Sequence, residues 1–130
     1  MIPILCVGET EEERKEGQTE ERIGSEIRTA LFALSKEETA KMVIAYEPIW
    51  AIGSGQAATP KDAEEIASFI RKTVKEAAGK KAADEVRILY GGSVNGDNIS
   101  YFLKQKNIDG ALIGGASLKP DTMIDIYNKA

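Results

Sequence analysis

Four short apolar runs recur along the chain, and each is cut off by glycine or by a Glu-Pro pair. They are Ile2 to Val7 before Gly8, Met42 to Tyr46 before Glu47-Pro48, Val86 to Tyr90 before Gly91-Gly92, and Gly110 to Ile113 before Gly114-Gly115. The first shows no alternation of apolar and polar residues, which suits a strand buried on both faces, as in parallel sheets. Between the runs the pattern turns helical. Thr10-Glu11-Glu12-Glu13 is a capping box, and Gly17 breaks the short acidic helix it starts. From Gln18, the residues Ile23, Ile27, Ala30, Leu31 and Leu34 form an apolar stripe. Ser35-Lys36-Glu37-Glu38 is a second capping box. Thr59 is an N-cap with Pro60 at the first helical position and Asp62 three residues after the cap. The helix they open carries Ala63, Ile66, Ala67, Ile70, Val74 and Ala77 on one face and closes at Gly79. Ile99, Phe102 and Leu103 mark a short helix, and a last helix near Pro120 carries Met123, Ile124 and Tyr127. The order βαβαβαβα predicts an α/β chain with right-handed crossovers and one parallel sheet. Neither a linker nor a low-complexity segment divides it, so residues 1–130 are expected to form a single domain.

Composition narrows the functions such a chain can have. A hydrophobic content of 42% over 130 residues suits one domain with a real core. The net charge of −4 offers no basic field, so neither nucleic acid nor an anionic membrane is an expected partner. Apolar runs fall well short of a membrane span. The one cysteine, Cys6, excludes a disulfide within the chain and fits a reducing compartment. Met1-Ile2-Pro3 carries no signal-peptide pattern, so a cytoplasmic location is expected. The absence of histidine removes the commonest acid/base and metal ligand, along with every Ser-His or Cys-His nucleophile. Neither a metal nor a cofactor is expected.

The chemistry-bearing stretch runs from Ala45 to Pro60. Pro48 cannot donate to a ladder, so it stops the second strand directly after Glu47. A carboxylate at the carboxyl end of a strand lies where α/β sheets place their chemistry. Glu47 is therefore a candidate general base, although its position alone suits a solvated strand-end glutamate as well. Gly53 and Gly55 free the backbone of the loop that follows. Gly53-x-Gly55-x-x-Ala58 superficially fits a dinucleotide fingerprint, but Glu47 to Ile52 separate it from the strand, so that reading is rejected. Gly91, Gly92 and Ser93 follow the third strand, and Gly114 and Gly115 follow the fourth. One glycine pair merely turns the chain. Two pairs after consecutive strands favour backbone N–H groups gathered around an anion. Cys6 is expected to be a buried strand residue rather than a reactive thiol.

The stretch from Ala45 to Pro60 closely resembles the catalytic loop of triosephosphate isomerases. Pro3 to Glu9, Arg87 to Val94 and Ile108 to Pro120 resemble further blocks of that family, in the family's order. Ser54 stands where the family usually has Thr, and Gln56 where it often has Lys. The resemblance covers this whole chain but only the second half of the family's domain, so it implies four parallel βα units, half of a (β/α)8 TIM barrel. It implies Glu47 as the base that interconverts dihydroxyacetone phosphate and glyceraldehyde 3-phosphate in glycolysis and gluconeogenesis. The same resemblance implies a phosphate grip formed by Gly53, Ser93, Gly114 and Gly115. Trp50 would lie in the loop's first hinge, Tyr90 would latch the closed loop, and Glu9 would be structural. Arg71 and Asp109 are expected to pair among the helices. Asn98-Ile99-Ser100 fits a glycosylation sequon without a secretory context to use it.

The family's Asn and Lys after the first strand, and its His after the fourth, have no counterpart here. The isolated chain is therefore expected to have little or no activity. Its partners would be triose phosphate or phosphate ion. The first and fourth strands would be sheet edges, and the inward face, taken as Leu5, Val7, Ile44 and Leu89, would lack its opposite wall. That exposure points to self-association, most simply a homodimer, or to a complementary N-terminal half. A self-associating half-barrel with at most weak phosphate affinity is the competing reading. Another phosphate-binding (β/α)8 family would explain the glycine pairs but not the Glu47 loop.

Overall fold

A computed structural model describes all 130 residues. Four strands form one parallel sheet in chain order: β1 (Ile4–Val7), β2 (Val43–Tyr46), β3 (Arg87–Tyr90) and β4 (Gly110–Ala111). The expected α/β architecture of four parallel βα units is the one observed, with β1 and β4 as edges. Seven helices connect and follow the strands: α1 (Glu11–Lys15), α2 (Thr19–Leu31), α3 (Lys36–Ala40), α4 (Pro60–Ala78), α5 (Lys80–Glu85), α6 (Ile99–Leu103) and α7 (Pro120–Lys129). None is long and apolar enough to cross a membrane.

Local chemistry sets the boundaries. Both capping boxes form, with Thr10 accepting from the Glu13 N–H and Ser35 from the Glu38 N–H. Thr59 accepts from the Asp62 N–H at 3.1 Å and fixes the start of α4. Along α4, Ala63, Ala67, Ile70, Val74 and Ala78 turn inward, and the burial of Ile70 alone contributes about 1.5–3 kcal/mol. Ala77 instead faces solvent.

Register decides which residues share a face. Leu5 pairs with Ile44, Val7 with Tyr46, Ile44 with Ile88 and Tyr46 with Tyr90. Val7, Ile44, Tyr46, Ile88 and Tyr90 lie against the helices and belong to the one core cluster. The opposite face carries Ile4, Cys6, Val43, Ala45, Arg87 and Leu89, and no helix covers it. Ile4 is 50% exposed there, and Cys6 and Arg87 are exposed too.

Several expectations are corrected by the structure. The uncovered face contains Leu89 but not Leu5, Val7 or Ile44. Strand side chains alternate strictly, and Leu89 has the opposite parity to the residue that pairs with Ile44. Cys6 falls on the uncovered face and is exposed rather than buried. The β4 ladder stops at Ala111 rather than Ile113, and one more bond runs from the Leu112 N–H to the Tyr90 carbonyl at 2.9 Å. On α7 only Ile126 is buried, and Met123, Ile124 and Tyr127 are exposed. Leu34 lies beyond the end of α2 and is exposed.

Arg71 and Asp109 do pair, at 2.8 Å. The same guanidinium donates to the carbonyls of Ala83 at 2.6 Å and Val86 at 3.0 Å and to the Asn107 side chain at 3.0 Å. It thus secures the end of α5 and the approaches to β3 and β4. Asp109 in turn accepts the Ile88 N–H at 2.8 Å.

Candidate active site

Glu47 follows β2 directly. Its N–H donates to the Val7 carbonyl at 2.8 Å, so it extends the strand by one residue and keeps the parity of Val43 and Ala45. The carboxylate therefore stands on the uncovered side of the sheet. Glycines flank it on both neighbouring strands. A Cβ at Gly8 would lie 1.9 Å from the Glu47 carbonyl oxygen, and one at Gly91 would lie 2.6 Å from Glu47 Cγ. The two missing side chains make the slot in which Glu47 sits. Cys6 neighbours it on β1. Burial against the sheet raises the thiol pKa to about 11, and hydrogen bonding with the Glu47 carboxylate and its negative charge add to the rise. A thiol so held is a poor nucleophile although the residue is exposed.

The loop after Glu47 is anchored at both ends. At its start Pro48 leads into a 3₁₀ turn, Ile49–Ala51. The Trp50 indole donates to Glu9 Oε1 at 3.1 Å, and the Tyr46 hydroxyl donates to the same oxygen at 3.0 Å. Glu9 is fully buried, and its Oε2 has no partner. Burial and then the Glu9 charge push the Tyr46 hydroxyl well above its ordinary value. At the loop's far end the Ala58 N–H donates to the Tyr90 hydroxyl at 2.9 Å. Burial raises the Tyr90 pKa, and the Ala58 bond opposes the rise. Between the ends, Gly53 and Gly55 take φ of 65° and 78°, which side chains disfavour.

Ser93 lies just past β3, and its hydroxyl donates to the Ala51 carbonyl at 2.9 Å, linking the third strand's loop to the Glu47 loop. Asn98 braces this segment: its amide donates to the Ser93 carbonyl at 3.0 Å and its Oδ1 accepts the Asn95 N–H at 2.9 Å. Asn98 is thereby engaged within the loop, which weighs against the sequon. Gly114 and Gly115 lead from β4 into a second 3₁₀ turn, Gly115–Leu118. No side chain stands within 4 Å of where either glycine's Cβ would be.

These segments enclose one cavity of about 480 Å³. Glu47, Gly53, Ser93, Gly114 and Gly115 all line it, together with Gly91 and Gly92. The structure thus brings every sequence-predicted site residue to one place. No cluster of three or more His, Cys, Asp or Glu side chains is placed to hold a metal ion. Three supporting residues escape sequence reasoning. Gly8 is legible only as the end of a strand. Asn98 gives a signal, but one that points to a sequon. Arg14, whose guanidinium carbon lies 4.6 Å from the centre of the Trp50 ring, looks in sequence like part of a solvated acidic helix.

Comparison with known proteins follows the same lines. Residues 1–130 match the family described as Triosephosphate isomerase. The triosephosphate isomerase of Dictyoglomus turgidum (strain DSM 6724 / Z-1310) is 53% identical over 126 residues, covering 97% of this chain and 51% of the relative. That of Dictyoglomus thermophilum (strain ATCC 35947 / DSM 3960 / H-6-12) is 53% identical over 126 residues with the same coverage. The chain spans about half the length of these relatives, and its four parallel βα units are half of the eight that close a (β/α)8 barrel.

Proposed function

The chain belongs to the triosephosphate isomerase family, and from that premise we propose that it carries the base and the phosphate grip of an aldose–ketose isomerase. The substrates of the whole site are dihydroxyacetone phosphate and glyceraldehyde 3-phosphate. One observation carries this reading: five residues from three strand-end loops, Glu47, Gly53, Ser93, Gly114 and Gly115, open onto a single cavity. Glu47 takes the proton from the carbon beside the carbonyl and returns it to the neighbouring carbon. Backbone N–H groups of Gly53, Gly114 and Gly115, with Ser93, hold the phosphate. The cavity's glycine lining suits this role, because the anion must approach the main chain closely.

Proton abstraction also needs an electrophile where the enediolate oxygen develops. This family is itself the standard illustration of a glutamate base working with a neutral histidine under a closing loop. The chain has no histidine. We therefore expect little or no turnover from residues 1–130 alone, with phosphate affinity retained. A coupled isomerase assay on the purified chain, run beside Glu47→Gln, tests the first point. Turnover that disappears in the variant would show that the chain builds a working site unaided. Phosphate titration followed by amide NMR tests the second. Shifts should concentrate at Gly53, Ser93, Gly114 and Gly115, and their absence at millimolar phosphate would overturn the grip.

The uncovered sheet face favours a second reading, a self-associating module. Ile4, Cys6 and Arg87 are exposed on it, and β1 and β4 are open edges. A second copy or a complementary N-terminal half would cover this face. Light scattering at micromolar concentration should show a dimer of the isolated chain; a compact monomer would leave the complementary half as the cover.

A further inference from the structure

We infer that Arg14 is a positioning residue that ties the two ends of the Glu47 loop to each other. The loop's ends belong to different elements. Trp50 sits in the 3₁₀ turn that opens it, and Asp62 sits in the first turn of α4, just after it closes. Arg14 belongs to neither, since it projects from α1 in the preceding βα unit. Its guanidinium carbon lies 4.6 Å from the Trp50 ring centre. The same group's Nη2 lies 3.1 Å from Asp62 Oδ2, and its Nη1 lies 3.7 Å from Glu9 Oε1. Glu9 Oε1 is also the acceptor of the Trp50 indole N–H.

The indole is therefore held on its face by Arg14 and at its edge by Glu9. Arg14 is kept over the ring by two carboxylates, each meeting a different guanidinium nitrogen, one buried and one in α4. The Asp62 side chain makes its ion pair and hydrogen bond with Arg14 alone. Any influence of Asp62 on Trp50 through these contacts must pass through the guanidinium. A guanidinium suits this place, because its planar fork stacks on the ring while separate N–H groups reach the two carboxylates, which a single ammonium does less well. Displacing Trp50 would free Arg14 from its stack and loosen its hold on α4. The two ends of the loop then move as one unit rather than as independent hinges.

Trp50 is the only tryptophan, so its fluorescence reports on this brace without labelling. The experiment is a double-mutant cycle read by acrylamide quenching of Trp50 in the full chain, with Arg14→Met, Asp62→Asn and the double variant. Arg14→Met should raise the population of detached, quenchable indole about 2- to 5-fold, the change an exposed cation–π contact carries. Asp62→Asn should raise it about twofold, as the loss of an exposed ion pair does. In the Arg14→Met background, Asp62→Asn should add nothing. If Asp62→Asn leaves Trp50 unchanged in the wild-type background, Arg14 only props the indole and the brace is refuted. An equal Asp62→Asn effect in both backgrounds would show a route that bypasses Arg14, and would refute the brace equally. Should Arg14→Met fail to fold, Arg14→Lys replaces it in the cycle and must still reduce the Asp62 effect. The readout needs no substrate, so it is independent of whether the isomerase reading holds.

Discussion

Replacing Tyr90 by Phe removes one oxygen and little else. The ring of Tyr90 stacks on Phe102 with centroids 4.1 Å apart and an interplanar angle of 16°, and phenylalanine keeps that contact. What disappears is the acceptor of the Ala58 N–H, held at 2.9 Å. Ala58 is only 4% exposed, so solvent does not readily replace the lost oxygen. A buried donor without a partner costs about 1–3 kcal/mol. The cost falls on the far end of the Glu47 loop, where that amide is the point of attachment. Native-state hydrogen exchange at the Ala58 amide should therefore accelerate by about 5- to 150-fold, the same range expressed as an opening equilibrium. Urea unfolding should show a loss of at most the same size. Amides of α4 beyond its first turn should accelerate no more than that global loss explains. If Ala58 exchanges at the wild-type rate in Tyr90→Phe, the phenol does not hold the loop, and the reasoning fails.

The remaining expectations can be checked with the purified chain. Gly91→Ala brings a Cβ to 2.6 Å from Glu47 Cγ, and melting should report a cost of about 1–3 kcal/mol. Gly8→Ala meets the Glu47 backbone at 1.9 Å, where no side chain can swing away, so it should be the more damaging of the two; the reverse order would contradict the slot. Iodoacetamide should modify Cys6 at pH 8 about 100-fold more slowly than a thiol at the ordinary 9.0, and Glu47→Gln should speed the reaction. Because Tyr46 is raised above its ordinary 10.0, the folded chain keeps a proton that the unfolded chain gives up at high pH. Stability should be intact below pH 10 and fall above it by about 1.4 kcal/mol per pH unit, and Tyr46→Phe should remove that part of the slope.

The features legible in sequence are those written in local chemistry. Both capping boxes, the Thr59-Pro60 helix start and the glycine-terminated strands leave marks within a few residues. Glu47 and the paired glycines are legible because parallel strands bring all their carboxyl ends to one edge of the sheet. The facing of the strands is not legible in the same way. Ile4-Leu5-Cys6-Val7 and Val43-Ile44-Ala45-Tyr46 are apolar at every position, so nothing local tells the helix side from the open side. For that reason sequence reasoning puts Cys6 in the core and Val7 on the open face, the reverse of what the register gives. Helix α5 leaves no sequence mark, because no side chain caps it and Gly79, which ends α4, also begins it. Arg14 is hidden by its surroundings, since an arginine among glutamates usually marks a solvated face. Its partners Trp50 and Asp62 lie 36 and 48 residues away.

The parity of Glu47 ties two matters that are usually treated apart. The carboxylate stands on the same side of the sheet as Ile4, Cys6 and Leu89, the side no helix covers. Any surface that comes down on those residues also displaces water from around Glu47. Assembly and desolvation of the Glu47 carboxylate are then a single event, with one concentration dependence. A titration of the covering surface, whatever its origin, would trace the drying of the carboxylate along the same curve.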